Sequence, residues 1–275
     1  MRKLRLTFFY CFFIVSVSTA THSFASAELG KWVTSHISIG MGWETLNYRE
    51  HEPDTHLDSE ADVSNWTFGF DALKRWEHLF CGIKGIIPVY LNDDREDWSL
   101  SGILAQQNSL EYGWTRIDCY LGYPLNSFFK PFIGLRWSEA NQDRTGFVFL
   151  GTPVEGSVTE TIRAWFFTLG VTGNILLNPR WRLSYSGSYF KPISSDVTNS
   201  GLPGWDVSGT DGYTFEIESQ IEYIYTSRVS FAFILYGGKT HWNGSDWTPY
   251  ASRFVKWPEN DTRYFGCILN MRWSF

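Results

Sequence analysis

Side chains along most of this chain alternate between apolar and polar with a period of two residues, from Ser35 to the last residue. This period is typical of β-strands that have one apolar face. Turn-forming residues divide the alternation into ten segments, approximately 36–49, 64–74, 78–91, 109–123, 130–139, 160–176, 180–191, 212–225, 229–240 and 263–275. Each segment is long enough to cross a bilayer as a tilted strand, which needs about 9 to 11 residues.

The connections between these segments alternate between short and long. The short ones are 73–77, 124–129, 177–179 and 226–228, and the long ones are 51–63, 92–108, 140–159, 192–211 and 241–262. Short turns on one side and long loops on the other are typical of outer-membrane barrels. The predicted fold is therefore all-β: a transmembrane antiparallel up-and-down β-barrel of ten strands, closed by its first and last strands.

The amino-terminal residues 1–27 have the organisation of a secretory signal peptide. They open with basic residues, continue with an apolar stretch at 6–17 and end on a small-residue cleavage site at 25–27. The apolar stretch is shorter than the roughly 20 residues that a spanning helix needs. We therefore predict export through a cleaved signal peptide, followed by a single outer-membrane barrel domain at 28–275.

The composition agrees with a barrel that faces lipid. Aromatic residues make up 18% of the chain, which suits aromatic girdles at both membrane interfaces. The formal net charge of −6 argues against a nucleic-acid partner. The expected partners are outer-membrane lipid, with lipopolysaccharide as one candidate, and the barrel-assembly machinery, because the ending on Phe275 resembles its recognition signal.

The polar face of the predicted strands carries both signs of charge. Its members are Glu44, Asp71, Asp118, Glu216, Glu218 and Glu222, together with Lys84, Arg116, Arg136, Arg182 and Arg272. The acids and bases nearly cancel, and charges in a narrow interior are tolerated when they are paired. We therefore predict a salt-bridge network that plugs the lumen. The alternative is a small ion-selective pore, although a clear aqueous channel needs roughly 16 to 18 strands.

The predicted long loops are acidic and contain tryptophans. The acidic residues of the first two loops are Glu50, Glu52, Asp54, Asp58, Glu60, Asp62, Asp93, Asp94, Glu96 and Asp97. The tryptophans of the loops are Trp98, Trp205, Trp242, Trp247 and Trp257. The carboxylate spacing matches no complete calcium loop, and no Cys/His cluster is present, so neither a metal nor a cofactor is predicted. The tryptophans either form a binding surface or brace the loops and the upper aromatic girdle.

Several short stretches resemble the omptins, a family of aspartate-dependent outer-membrane endopeptidases with ten-stranded barrels. They are Ser64-Asn65-Trp66, Glu96-Asp97-Trp98, Leu183-Ser184-Tyr185-Ser186-Gly187 and Ser194-Ser195-Asp196. The resemblance can be followed loosely over most of the chain after the signal peptide. It implies a water held between an Asp pair and an Asp-His pair on facing sides of the barrel mouth.

The match to that catalytic set is incomplete. Asp97 corresponds to the second member of the Asp pair, whereas Arg95 stands in place of the first, for which Asp93 or Asp94 could substitute. Asp196 is available in the fourth loop, but no histidine occurs from 192 to 211. His241, with Asp246 nearby in sequence, is the remaining histidine for the opposite side. The candidate catalytic residues are therefore Asp94, Asp97, Asp196 and His241.

Together these features predict an omptin-like outer-membrane barrel that lacks a complete omptin catalytic set. We expect a non-catalytic protein with a structural or surface-recognition role that depends on acidic, aromatic loops. Two alternatives remain open at the level of sequence. One is an omptin-like endopeptidase, and the other is a small pore.

Overall fold

The structure, a computed structural model, describes residues 34–76 and 78–275. The predicted signal peptide lies outside the described residues. These residues form fourteen strands: β1 (His36–Glu52), β2 (Leu57–Trp76), β3 (Leu79–Tyr90), β4 (Asp93–Leu100), β5 (Ile103–Gly122), β6 (Lys130–Phe149), β7 (Thr152–Asn178), β8 (Trp181–Asn199), β9 (Asp206–Ser208), β10 (Gly212–Ile224), β11 (Val229–Trp242), β12 (Thr248–Tyr250), β13 (Arg253–Val255) and β14 (Glu259–Ser274). A helix long and apolar enough to span a membrane is not found among them.

Twelve of these strands form one antiparallel sheet that closes on itself, because β1 pairs with a neighbour on each side. Ten long neighbours follow one another in the order β1-β14-β11-β10-β8-β7-β6-β5-β3-β2, and β2 pairs with β1 again. β4 bridges the outer ends of β2 and β5, and β9 pairs with β8. β12 and β13 form a separate small hairpin. Each long strand therefore has a hydrogen-bonded neighbour on both sides.

The outer face of this ring is apolar and the inner face is polar. On β1 the exposed side chains are Ile37, Ile39, Met41 and Trp43, whereas Ser38 and Glu44 on the other face are buried. A soluble protein buries its apolar face. The inversion seen here is the arrangement expected of a strand with lipid outside and a packed interior inside.

Glycines allow β1 and β14 to approach closely where the ring closes. A Cβ added to Gly40 would lie 2.2 Å from the backbone oxygen of Leu269, and one added to Gly42 would lie 2.1 Å from that of Cys267. Backbone atoms cannot move aside as a flexible side chain can. The closing seam therefore depends on residues without a side chain at these two positions.

Each of the ten predicted segments corresponds to one long strand, but the segments predicted as long loops are mostly strand, which corrects the sequence prediction. β1 continues to Glu52 and β2 begins at Leu57, β4 occupies much of 92–108, and β12 and β13 lie within 241–262. The reason is physical. Beyond the apolar belt the outer face of a strand becomes polar, whereas the inner face holds buried apolar residues such as Leu46 and Val63 among polar ones, so the regular alternation is lost although the strand continues.

Candidate functional site

The middle of the interior is organised around Arg136, which is almost fully buried. Its guanidinium donates two hydrogen bonds to Asp118, at 2.6 Å to Oδ1 and 2.9 Å to Oδ2, and lies 3.2 Å from Glu216. These three residues come from β6, β5 and β10. A bidentate pair of this kind is among the stronger charge-assisted contacts. This pair joins the adjacent strands β5 and β6, and the contact with Glu216 on β10 connects them to a distant part of the ring.

Lys84 extends the same cluster from β3. Its Nζ lies 3.3 Å from Glu216 Oε1, 3.4 Å from Glu218 Oε2 and 3.9 Å from Asp118 Oδ2. The hydroxyl of Tyr264 donates to Glu216 at 2.9 Å. One carboxylate thus accepts hydrogen bonds from a lysine, an arginine and a tyrosine, which offsets the cost of burying its charge.

Arg116 forms a second buried pair above this cluster. It donates to Glu44 on β1, and both side chains are nearly inaccessible. Its guanidinium carbon lies 4.3 Å from the centroid of the Trp114 ring and 4.7 Å from that of Tyr264. Cation–π contacts of this geometry stabilise an arginine that has lost its water.

The other end of the interior holds a third group of charges. Arg272 lies 3.3 Å from Glu222 and 3.8 Å from Asp71, and Arg182 lies 3.5 Å from Glu222. His36 Nε2 is 2.5 Å from Asp71 Oδ2. The structure therefore places every charged residue of the predicted lumen network in an ion pair with another member. It also adds His36, which the sequence reading left out.

A cavity of about 190 Å³, lined by both apolar and charged side chains, remains in the interior. Lys84, Tyr120, Arg182, Gln220 and Arg272 are among the residues that line it. The charge pairs around it join strands on different sides of the ring. Charged side chains thus fill only part of the interior, which also holds this cavity and a cluster of buried apolar side chains such as Leu46, Val63 and Trp114.

A further charged cluster lies above the apolar belt, where sequence reading predicted loops. Arg144 on β6 donates to Glu96 at 2.7 Å and to Glu50 at 2.9 Å. Glu96 is inaccessible to solvent and also accepts a hydrogen bond from Asn108 at 2.7 Å. The sequence prediction does not include Arg144, because it places 140–159 in a loop. The signal was present, since Gln142 and Arg144 continue the inward positions of β6.

Carboxylates outnumber cations in this upper cluster. Burial, only partly opposed by Arg144, raises the pKa of Glu50 to about 7, and the nearby charges of Glu160 and Glu96 raise it further. The hydroxyl of Tyr48 donates to Glu50. Glu50 therefore titrates near neutral pH, unlike an exposed glutamate.

The β12–β13 hairpin and the residues that follow it cover this cluster. Trp257 is buried, and its indole N–H donates to Glu160 at 3.1 Å. Lys256 Nζ lies 3.0 Å from Glu52 and 3.5 Å from Asp54. A tryptophan anchor and two ion pairs thus hold the connection between β11 and β14 over the mouth.

Most of the predicted loop tryptophans brace this roof rather than face solvent. Trp205, Trp242 and Trp257 are buried in one cluster, and Trp242 and Trp257 have ring centroids 6.0 Å apart. The exposed fraction of Trp247 is 45%, and its indole donates to Asp54 at 3.2 Å. The five tryptophans therefore do not form one exposed recognition surface.

The acidic catalytic candidates on β4 do not form an open pair. Asp97 accepts hydrogen bonds from Arg95 at 2.6 Å and from Gln107 at 2.9 Å, and it stands opposite Glu60 on β2. Its neighbour Glu96 is the residue that points inward. Asp94 is exposed and accepts the backbone N–H of Arg95.

His241 and Asp196 also lie on the outer face of their strands. Thr240 and Trp242 are buried on the inner face of β11, so His241 between them points out, where it packs 5.2 Å from the Tyr213 ring. Its Nδ1 lies 2.9 Å from Asp261, so the carboxylate beside it is Asp261 on β14 and not Asp246.

Asp196 alternates with the buried Ser195 and Val197 and faces Arg163 on β7. Together with Asp97 and His241, it points away from the lumen. The candidate residues are therefore not brought together around the mouth. Within the described ranges, no group of three or more His, Cys, Asp and Glu is arranged to hold a metal ion.

Comparison with solved structures identifies the fold as one shared with outer-membrane β-barrels. The structure of the outer membrane protease OmpT from Escherichia coli matches with a TM-score of 0.63 at 11% sequence identity, over 94% of this chain and 100% of that chain. The fold resembles that of omptin-like barrels. At this identity the likeness concerns the fold alone.

Two further solved structures are more distant. The translocator domain of the autotransporter NalP from Neisseria meningitidis matches at 8% identity and a TM-score of 0.41, over 90% of this chain and 91% of that one. The outer membrane protein OprG from Pseudomonas aeruginosa matches at 11% identity and a TM-score of 0.35, over 88% and 96%. No protein-family model and no curated protein matches the sequence.

Proposed function

We propose that this chain is an integral outer-membrane protein whose ten long strands cross the bilayer as a closed barrel. In this proposal its role is structural support or recognition at the cell surface, without proteolysis or conduction. The closed ring, the exposed apolar rows and the likeness to the OmpT barrel support the membrane assignment. The predicted signal peptide and the terminal Phe275 are consistent with export to and assembly in the outer membrane.

The interior supports a plug rather than a pore. Arg136, Arg116 and Arg272 each reach a carboxylate on a strand that is not a neighbour in the sheet, so their side chains cross the space that ions would need. Breaking such a pair leaves a buried charge without a partner, which is strongly unfavourable. A conducting state would have to separate several of these pairs together.

The observation that carries the non-proteolytic assignment is the outward orientation of Asp97, Asp196 and His241. General-base catalysis requires the base and the orienting carboxylate within hydrogen-bond reach of one water on the substrate side. Here the His241–Asp261 pair lies on the outer surface of the sheet. Among the described residues, Asp94 and Asp97 do not form a carboxylate pair that faces it, because Asp97 accepts hydrogen bonds from Arg95 and Gln107.

The outer end of the molecule instead offers an acidic surface. Exposed carboxylates on this side include Asp54, Glu60, Asp62, Asp93, Asp94, Glu155, Asp206 and Asp246. Exposed cations such as Arg49, Arg95 and Arg253 lie among them in smaller number. A surface on which acids outnumber bases attracts cationic partners and raises their rate of association. We therefore propose recognition of cationic partners through charge, with the buried tryptophans holding the loops in place.

The experiment is to incubate the refolded protein in lipopolysaccharide-containing micelles with basic peptides. We expect the peptides to bind more weakly as salt is raised, because exposed charges are screened, and to remain uncut. Asp97→Ala and His241→Ala are the matched variants and should behave like the parent protein. Cleavage that both substitutions abolish would establish the endopeptidase instead.

The pore alternative is tested by planar-bilayer conductance of the reconstituted protein. We expect a membrane without discrete current steps, because the paired charges occupy the lumen. Stable single-channel steps at neutral pH would show that the charged interior is not a plug.

A further inference from the structure

Two neighbouring hairpins end in exposed apolar side chains at the outer end of the molecule. The β4–β5 hairpin carries Leu100, Ile103 and Leu104, and the β6–β7 hairpin carries Phe149, Leu150 and Val154. Ile103 is 71% exposed and Leu150 is 68% exposed, and the other four are about half exposed. We call these six residues the apical patch.

The two hairpin ends form one surface. The backbone N–H of Leu150 donates to the carbonyl of Ala105 at 2.9 Å, and Phe149 is the register partner of Gln106 on β5. Sheet hydrogen bonds therefore hold the second turn beside the first. The patch is a rigid apex rather than a pair of independent loops.

The apical patch stands well away from the apolar belt. On β5 the outward residues become polar at Glu111, and the strand begins at Ile103. With a rise of about 3.3 Å per residue and a tilt of about 40°, Ile103 lies on the order of 20 Å further out. The membrane that surrounds the apolar belt does not reach the apical patch. This placement rests on the orientation of the barrel given by the proposed function.

The backbone conformation at the apex is unfavourable for the leucine at position 150. Leu150 has φ of +47° and precedes Gly151 at +81°, and Ser101 at +51° precedes Gly102 at +78°. Two-residue turns of this kind favour Asn, Asp or Gly. A leucine in the left-handed region is disfavoured, and its exposed side chain gains no burial in return. Strain that the fold does not require points to a functional reason.

The apex is also uncharged, although the outer end around it is acidic. Segments 98–107 and 145–154 contain no Asp, Glu, Lys, Arg or His. Asp97 and Glu155 flank these segments directly. The apolar apical patch therefore projects from a surface on which acidic residues predominate.

The shape and size of the patch favour a lipid surface as its partner. A stable protein interface takes about 20 to 30 residues from each side, and six residues on a convex apex are too few for a second copy of this chain. Apolar side chains on a narrow projection can enter a soft headgroup region to a depth of about 5–10 Å. The surrounding carboxylates would be repelled by anionic headgroups.

We propose that the apical patch inserts into an apposed bilayer with zwitterionic headgroups. The two turns act as a double anchor, and the acidic surface below them limits the depth of insertion and disfavours anionic membranes. The protein would thereby hold its own membrane close to a second one.

The test uses the protein embedded in lipid nanodiscs and mixed with separate vesicles, followed by flotation. We expect the discs to float with phosphatidylcholine vesicles and less with vesicles that contain phosphatidylglycerol, whereas empty discs do not float. Leu150→Asn and Ile103→Ser should each weaken vesicle binding by about tenfold. Leu150→Asn suits the turn better than leucine, so its loss of binding cannot be attributed to misfolding.

Phe254→Ser is the matched control. Phe254 is 68% exposed on the β12–β13 hairpin and lies outside the patch, so its loss should leave flotation unchanged. Discs that carry the protein but fail to float, equal binding to both lipids, or binding that survives both patch substitutions would overturn the inference. Pairing of discs without vesicles, abolished by the same substitutions, would show a second copy as the partner. Failure to enter discs at all would overturn the proposed function itself.

Discussion

At the scale of single residues, the two ends of the interior differ in how their charges are balanced. The pairs around Arg136 and Arg272 supply each carboxylate with a nearby cation. In the upper cluster Arg144 alone faces Glu50 and Glu96, with Glu160 nearby. The excess acid makes Glu50 the residue whose charge state changes close to neutral pH.

We predict that Glu50→Gln stabilises the protein at alkaline pH. Burial raises the pKa of Glu50 from 4.5 to about 7. The native protein therefore keeps a proton that the unfolded chain releases, and stability falls as the pH rises through this interval. Glutamine cannot ionise, so the variant should gain on the order of 3 kcal/mol at about pH 8 and nothing near pH 4. Urea unfolding in detergent across this range measures the difference.

Glu60→Gln is the control for this measurement. Glu60 is exposed on the outer face and pairs with Arg49 at 2.5 Å, and exposed pairs of this kind contribute little. Its substitution should leave the pH profile of stability unchanged. If Glu50→Gln gives the same profile as the parent protein, the buried carboxylate does not hold a proton near neutral pH.

At the scale of strands and hairpins, closure of the ring depends on a close approach between β1 and β14. Gly40 leaves no room for a side chain there, because an added Cβ would lie 2.2 Å from the backbone oxygen of Leu269, which cannot move aside. Gly187 on β8 differs, since a Cβ would meet nothing within 4 Å. The same substitution at these two sites therefore separates a steric effect at the seam from a general effect of alanine in a strand.

We predict that Gly40→Ala destabilises the protein by about 1–3 kcal/mol through overpacking. Gly187→Ala should be neutral or slightly stabilising, because alanine reduces the freedom of the unfolded chain. Unfolding free energies of both variants in detergent give the comparison. Equal effects at the two sites would mean that the seam tolerates a side chain and that closure does not limit stability.

At the scale of the whole molecule, the apolar rows face outward on a sheet that is closed on itself. Such a surface is unfavourable in water, and lipid or detergent supplies the apolar contact that a soluble protein finds in its core. The charged interior cannot replace that contact. Folding and a surrounding amphiphile should therefore be inseparable.

We predict that the polypeptide 28–275 acquires its strand content only when detergent or lipid is present. Circular dichroism of the purified chain, diluted from denaturant into buffer with and without micelles, provides the measurement. Dilution into buffer alone should give aggregation or an unfolded spectrum. A water-soluble, strand-rich monomer without detergent would contradict the barrel assignment.

The orientation of His241 and Asp97 follows from the period of two only once the strands are known to continue into the segments predicted as loops. His241 shares its position in the alternation with Phe233 and Leu235, which face outward on β11, and Asp97 has the opposite parity to Glu96. Applying the period of two through the loops would have turned both away from the lumen. That step fails without the structure, because the apolar signal ends at the membrane boundary.

The sequence by itself determined which side chains share a face, where ten long strands lie and which charges point inward, because these follow from a local period of two. Only the tertiary structure decided which inward charges meet, such as Lys84 with Glu218 or Arg116 with Glu44. It also decided that Trp257 covers the mouth and that two distant turns form one apex. Such contacts depend on how the strands tilt and stagger when the sheet closes, and no local pattern records that geometry.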